Sequence, residues 1–125
     1  MKVKTLVLIA TLTLAPVAAF AHDVEKGPNG GQIVDAKGHH VEFTTKDSAI
    51  VIYLTDEKDA PIKSAGAEGK AIVQDGGKAV TVTLTPTEPN VLNGKLETPL
   101  APGAKIVVSG KLSDGHEILA RFVAK

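Results

Sequence analysis

The stretch Val80-Thr81-Val82-Thr83-Leu84-Thr85 decides the fold class. Side chains alternate sides along an extended backbone, so Val80, Val82 and Leu84 face one way and the three threonines the other. Val and Thr are β-branched and suit a pleated, half-buried surface. Asp75-Gly76-Gly77 lies just before this strand and joins it to a second apolar segment at 69–74, which reads as a hairpin. Ala36-Lys37-Gly38 joins 32–35 to 39–45 in the same way, and Ser113-Asp114-Gly115-His116 joins 105–112 to 117–123. Residues 49–54, Ala-Ile-Val-Ile-Tyr-Leu, are apolar on both faces and suit a central strand. Asn93-Gly94 and Ala101-Pro102-Gly103 mark further turns.

Turn signals about every ten residues, with no helical period outside the N-terminal segment, predict an all-β domain of antiparallel strands, seven or eight in number. An immunoglobulin-like sandwich is the first expectation and a small closed β-barrel the alternative. The organisation expected is a signal peptide at 1–21, a flexible, extended arm at 22–31 and a single β domain at 32–125.

Composition narrows the function. The chain has 125 residues, with 14 Lys+Arg against 14 Asp+Glu, and no Cys or Trp. Without cysteine there are no disulfides, thiolate zinc sites or iron–sulfur clusters. Balanced charge and few aromatics argue against nucleic acid as a partner. Lys2 and Lys4, the apolar run Leu6–Leu14, and Ala19-Phe20-Ala21 have the layout of a secretory signal peptide. The expected cut follows Ala21 and leaves His22 first; a cut after Ala19 is the weaker alternative. The run is short for a transmembrane helix and none follows, so a periplasmic protein with no stable membrane insertion after cleavage is expected.

Catalytic chemistry is thinly supplied. Ser48, Ser64, Ser109 and Ser113 lack a nucleophile-elbow context. Gly27-Pro28-Asn29-Gly30-Gly31 lacks the Lys-Ser/Thr ending of a phosphate loop. No enzyme is expected.

The four histidines, His22, His39, His40 and His116, are more informative. On a strand at 39–45, His40 and Glu42 lie on one face, about 7 Å apart, a spacing from which both could reach one divalent ion. A free N-terminal His22 would chelate through its amine and its ring, a nitrogen-rich arrangement that favours Cu(II) or Ni(II). The candidate metal ligands are therefore His22, His40 and Glu42, for Cu(II), Zn(II), Ni(II) or Co(II). Without Cys, and without Met beyond the signal segment, a Cu(I) site is disfavoured. His116 reads as a solvated turn residue, His39 as a packed one, and Asp56–Asp59 as a solvated loop.

Gly27-Pro28-Asn29-Gly30-Gly31-Gln32, Gly38-His39-His40-Val41-Glu42-Phe43 and Ile52-Tyr53-Leu54-Thr55-Asp56 together resemble small secreted bacterial proteins and the N-terminal segments of periplasmic adaptor subunits of heavy-metal efflux pumps. Ala60-Pro61-Ile62, Gly66–Ala71 and Ala120-Arg121-Phe122 extend the resemblance over most of the chain after the signal segment. His40 and Glu42 occupy the family's His-x-Glu positions. Asn29 stands where the family often has His, and His39 where it usually has an aromatic residue. The resemblance implies a metal-handling accessory protein linked to heavy-metal efflux, with a pump adaptor or other envelope protein as partner. The alternative is a non-metal β module that docks on an envelope partner through a strand edge.

Overall fold

The computed structural model describes residues 25–125. Residues 1–21, expected to be a signal peptide, and His22 lie outside the described residues. The rest is all-β, with eight strands: β1 (Gln32–Ala36), β2 (His39–Lys46), β3 (Ala49–Asp56), β4 (Glu68–Asp75), β5 (Lys78–Thr87), β6 (Val91–Lys95), β7 (Lys105–Lys111) and β8 (Glu117–Val123). They form one antiparallel sheet in the order β1-β2-β3-β6-β5-β4-β7-β8. The sheet rolls until β1 and β8 stand side by side. Of the two all-β architectures expected, the result is nearer the barrel. Among the described residues no helix is long and apolar enough to cross a membrane.

The bend in the sheet falls within β5. Its first part, Lys78–Leu84, pairs with β4, and its last, Thr85–Thr87, pairs with β6. One long strand thus serves two ladders and turns the sheet between them. Val82 and Leu84 are buried as the alternation predicts, but Val80 is 57% exposed. Val80 lies near the Gly76-Gly77 tip of the β4–β5 hairpin, beyond the edge of the core.

β3 is central, paired to β2 on one side and β6 on the other. Ile50, Ile52 and Leu54 on its inner face are fully buried. They meet Val41, Leu92, Ile106 and Val108, also fully buried. Burying each side chain of this size contributes about 1.5–3 kcal/mol before entropy is counted.

The seam between β1 and β8 carries no backbone ladder. Phe43 of β2 stacks on Phe122 of β8 with ring centroids 5.1 Å apart. The Gln32 side-chain amide donates to the Val123 carbonyl at 2.6 Å. Closure therefore rests on side chains.

Candidate functional site

Residues 25–31, the described part of the arm expected at 22–31, bond to one another and to β1 and β2. Lys26 bridges Gln32 in antiparallel sense. The Gly27 N–H donates to the Gly31 carbonyl at 2.8 Å, closing a tight turn. The Glu42 carboxylate holds that turn. Its Oε1 accepts from the Asn29 N–H at 2.8 Å and the Gly31 N–H at 3.1 Å, and its Oε2 accepts from Asn29 Nδ2 at 2.8 Å. A Cβ on Gly27 would collide with the Glu42 carboxyl group, so glycine there makes the niche. Glu42 is 2% exposed although it sits on the outer face of β2. The Gly-Pro-Asn-Gly-Gly run and the His-x-Glu strand are one latch. All three of these bonds tie Glu42 to the turn, and an ion would have to compete with them for the carboxylate.

His40 shares that face but has other partners. Its Nδ1 lies 3.2 Å from Asp59 Oδ1 and its Nε2 lies 3.7 Å from Asp35 Oδ2. Each ring nitrogen faces a carboxylate, so His40 and Glu42, although on one face, have separate partners here. His22, the third expected ligand, lies outside the described residues.

The loop bearing Asp59 is organised by Asp56. Its Oδ1 accepts from the Lys58 N–H at 2.8 Å and the Ala60 N–H at 2.9 Å. These bonds, the Ala60 one first, hold the Asp56 carboxyl below its ordinary pKa of 3.8. A lowered folded-state pKa supplies stability above the unfolded value and loses it as pH falls through the folded one. The Lys58 and Ala60 amide resonances should therefore shift together on acidification, with a midpoint below 3.8. A midpoint at or above that value would remove Asp56 from this role.

A different cluster forms where two hairpin turns meet. His39 opens β2 directly after the turn Lys37-Gly38, whose φ angles of 54° and 86° give the twist that a two-residue hairpin needs. His116 follows Gly115 at φ 89° in the β7–β8 turn. That turn is closed by the Leu112 N–H on the His116 carbonyl at 2.8 Å, and by the His116 N–H on Asp114 Oδ1 at 2.9 Å. Because the sheet closes on itself, both turns reach the same rim. His39 and His116 stand with ring centroids 5.3 Å apart. One ligand atom from each of His39, Asp114 and His116 falls within 4.8 Å of the others.

The hydrogen-bond partners select a tautomer for each neutral ring. His39 Nδ1 lies 3.3 Å from the Ala36 carbonyl oxygen. A carbonyl only accepts, so Nδ1 carries the proton and the neutral ring keeps its lone pair on Nε2. His116 Nδ1 lies 2.8 Å from Asp114 Oδ2. The His116 backbone N–H and then its ring hold the Asp114 carboxyl below its usual range, so the acceptor stays ionised. The same logic puts the neutral His116 lone pair on Nε2. The Ala36 carbonyl thus gives His39 the outer-shell support typical of a metal-ligating histidine, whereas Asp114, both of whose oxygens face His116, joins an ion only by giving up one of those bonds. His39 is half-buried, whereas Asp114 and His116 are exposed, so the site is open to water.

No family model, no curated protein and no solved structure matches the chain. The functional reading rests on the residues themselves.

The sequence offers one signal for this cluster. Gly38-His39 and Gly115-His116 repeat the same motif, a histidine directly after the glycine that ends a hairpin turn. That each histidine follows a turn is legible; that the two turns meet depends on sheet closure.

Proposed function

We propose that this is a divalent-metal-binding β domain of the bacterial periplasm, acting as an accessory to heavy-metal efflux, with His39, Asp114 and His116 as its protein ligands. One observation carries the reading: three ligand atoms from two separate turns lie within 4.8 Å of one another, with His39 oriented by the Ala36 carbonyl. Two imidazoles and a carboxylate are borderline donors that suit Zn(II), Cu(II), Ni(II) or Co(II). Three protein ligands leave coordination positions to water. With two of the three side chains exposed, an ion can enter and leave without the fold opening. That favours buffering or hand-over to a partner above catalysis in a water-excluded site. Location and link to efflux follow from the signal-like N-terminal segment and the family resemblance.

Calorimetric titration with Zn(II) tests the assignment. One ion should bind per chain, with a Kd in the range of about 1–100 μM, or −8 to −5 kcal/mol. His39→Ala and His116→Ala should each weaken it at least about 30-fold, since the remaining pair is a poor site. Glu42→Gln should leave it unchanged. Binding should fall on acidification, because protons compete for the imidazole nitrogens. If His39→Ala and His116→Ala bind as well as the unaltered protein, the cluster is not the site.

A further inference from the structure

We propose that Asn29-Gly30 is a site of spontaneous, one-way modification gated by the Glu42 latch. While the latch is closed, Asn29 keeps its amide. When it opens, Asn29 deamidates and the turn no longer recloses.

The chemistry follows from the residue pair. An asparagine before glycine is open to attack by its own chain, because glycine has no side chain to hinder approach of the next backbone nitrogen. Gly30 N bonds to Asn29 Cγ, and the Cγ–Nδ2 bond breaks. Nδ2 leaves as ammonia with the proton of the Gly30 N–H. Water then opens the cyclic imide at either carbonyl. One opening leaves aspartate; the other leaves isoaspartate, with the main chain rerouted through the side chain. The reactants are the chain and water alone.

Asn29 and Gly30 are exposed, so water and base reach them. What restrains the pair is bonding. The Gly30 N–H donates to the Gly27 carbonyl at 2.9 Å, which holds the proton that the attacking nitrogen must lose. Asn29 Nδ2 donates to Glu42 Oε2, and the Asn29 N–H to Glu42 Oε1, both at 2.8 Å. Side chain and backbone of Asn29 are thus fixed on one carboxylate. Attack requires Gly30 to leave Gly27 and the Asn29 amide to leave Glu42, and both happen when the turn lifts from β2. Glu42 is not the base for this step, since its Oε1 receives the N–H groups of Asn29 and Gly31 and not that of Gly30.

Neither product fits the closed latch. Aspartate at 29 sets a carboxylate oxygen in place of Nδ2, against a Glu42 carboxylate that is 2% exposed. A hydrogen bond is exchanged for repulsion between like charges. Isoaspartate lengthens the main chain inside a turn closed by the Gly27–Gly31 bond. Openings of the latch therefore accumulate as a permanent chemical record.

The chain holds its own control. Asn93-Gly94 is the same dipeptide, but Gly94 is buried and pairs with Ile50, and Asn93 pairs with Val51 and Thr85. A strand with neighbours on both sides has no freedom to fold onto its own side chain.

The test is peptide mapping by mass spectrometry after incubation at mildly alkaline pH. Asn29 should convert at least about tenfold faster in Glu42→Ala than in the unaltered protein, the rate equivalent of about 1.4 kcal/mol. Asn93 should persist in both. Val108→Ala, brought by urea to the same overall stability as Glu42→Ala, separates local from global opening. Val108 is fully buried on β7, which pairs with neither β1 nor β2. This variant should convert Asn29 more slowly than Glu42→Ala. Equal rates in the two would mean that only unfolding exposes Asn29, and would overturn the gate. Equal rates in Glu42→Ala and the unaltered protein would overturn it as well. Asn29→Asp, which has the composition of the aspartate product, should lower the thermal midpoint by at least about 5 °C. An unchanged midpoint would overturn the one-way step.

Discussion

Replacing Glu42 by Ala should lower the thermal midpoint by about 15 °C, the equivalent of about 3 kcal/mol for a domain of roughly 100 residues. The carboxylate accepts three hydrogen bonds and is 2% exposed. Truncation strands the Asn29 and Gly31 N–H groups and leaves a void where the carboxyl was. Unpaired donors cost about 1–3 kcal/mol each where water cannot reach them, and water entering the void recovers part of this. Glu42→Gln should cost less. Its Oε1 can still take both backbone N–H groups, and Asn29 can rotate its amide to face the new Nε2. Unfolding followed by circular dichroism is the check. An Ala variant with an unchanged midpoint would return Glu42 to the list of groups free to bind an ion.

Gly31→Ala should be comparably damaging for a different reason. An added Cβ would collide with the Phe43 carbonyl oxygen and stand 2.6 Å from Thr44 Cγ2. The obstacle is backbone in β2, so β1 and the turn would have to move away from the sheet. Overpacking of this kind costs about 1–3 kcal/mol and more where backbone must shift, so a loss of about 3 kcal/mol is expected. Gly30→Ala is the control. Gly30 has open space around its Cβ position and φ of 81°, so only left-handed strain of about 1–2 kcal/mol applies. Denaturant midpoints at constant slope separate the two. Equal losses would mean that the close approach of turn and β2 is not what holds Gly31.

The strands were legible because their signals are local. Alternation at 80–85, the all-apolar run at 49–54 and three glycine turns each report on a few neighbouring residues. What the sequence withheld depends on distant partners. The bend in β5 arises because its two parts pair with different strands. Val80 obeys the alternation and still lies outside the core, since periodicity gives a face but not the core's extent.

The candidate site divides along the same line. His40 and Glu42 share a face as periodicity predicts, yet Glu42 serves a turn formed 11 to 13 residues upstream. A glycine-rich run with spare N–H groups needs an acceptor, and a lone acidic residue on the neighbouring strand supplies one. His39 and His116 looked unremarkable because each lies beside a turn at opposite ends of the domain sequence. Only the closing of the sheet brings them together.

That closure carries a consequence for the empty stretch of hydrogen bonding between β1 and β8. His39 belongs to the hairpin on one side of the gap, and Asp114 and His116 to the hairpin on the other. An ion held by all three is a clasp across the weakest line of the cylinder, fastening the first hairpin of the domain to the last. Occupancy and cohesion are then linked: at one hundred times its Kd the ion adds about 2.7 kcal/mol to stability. The domain would sense metal supply through how tightly it stays shut, with a rim firmer when loaded than when empty.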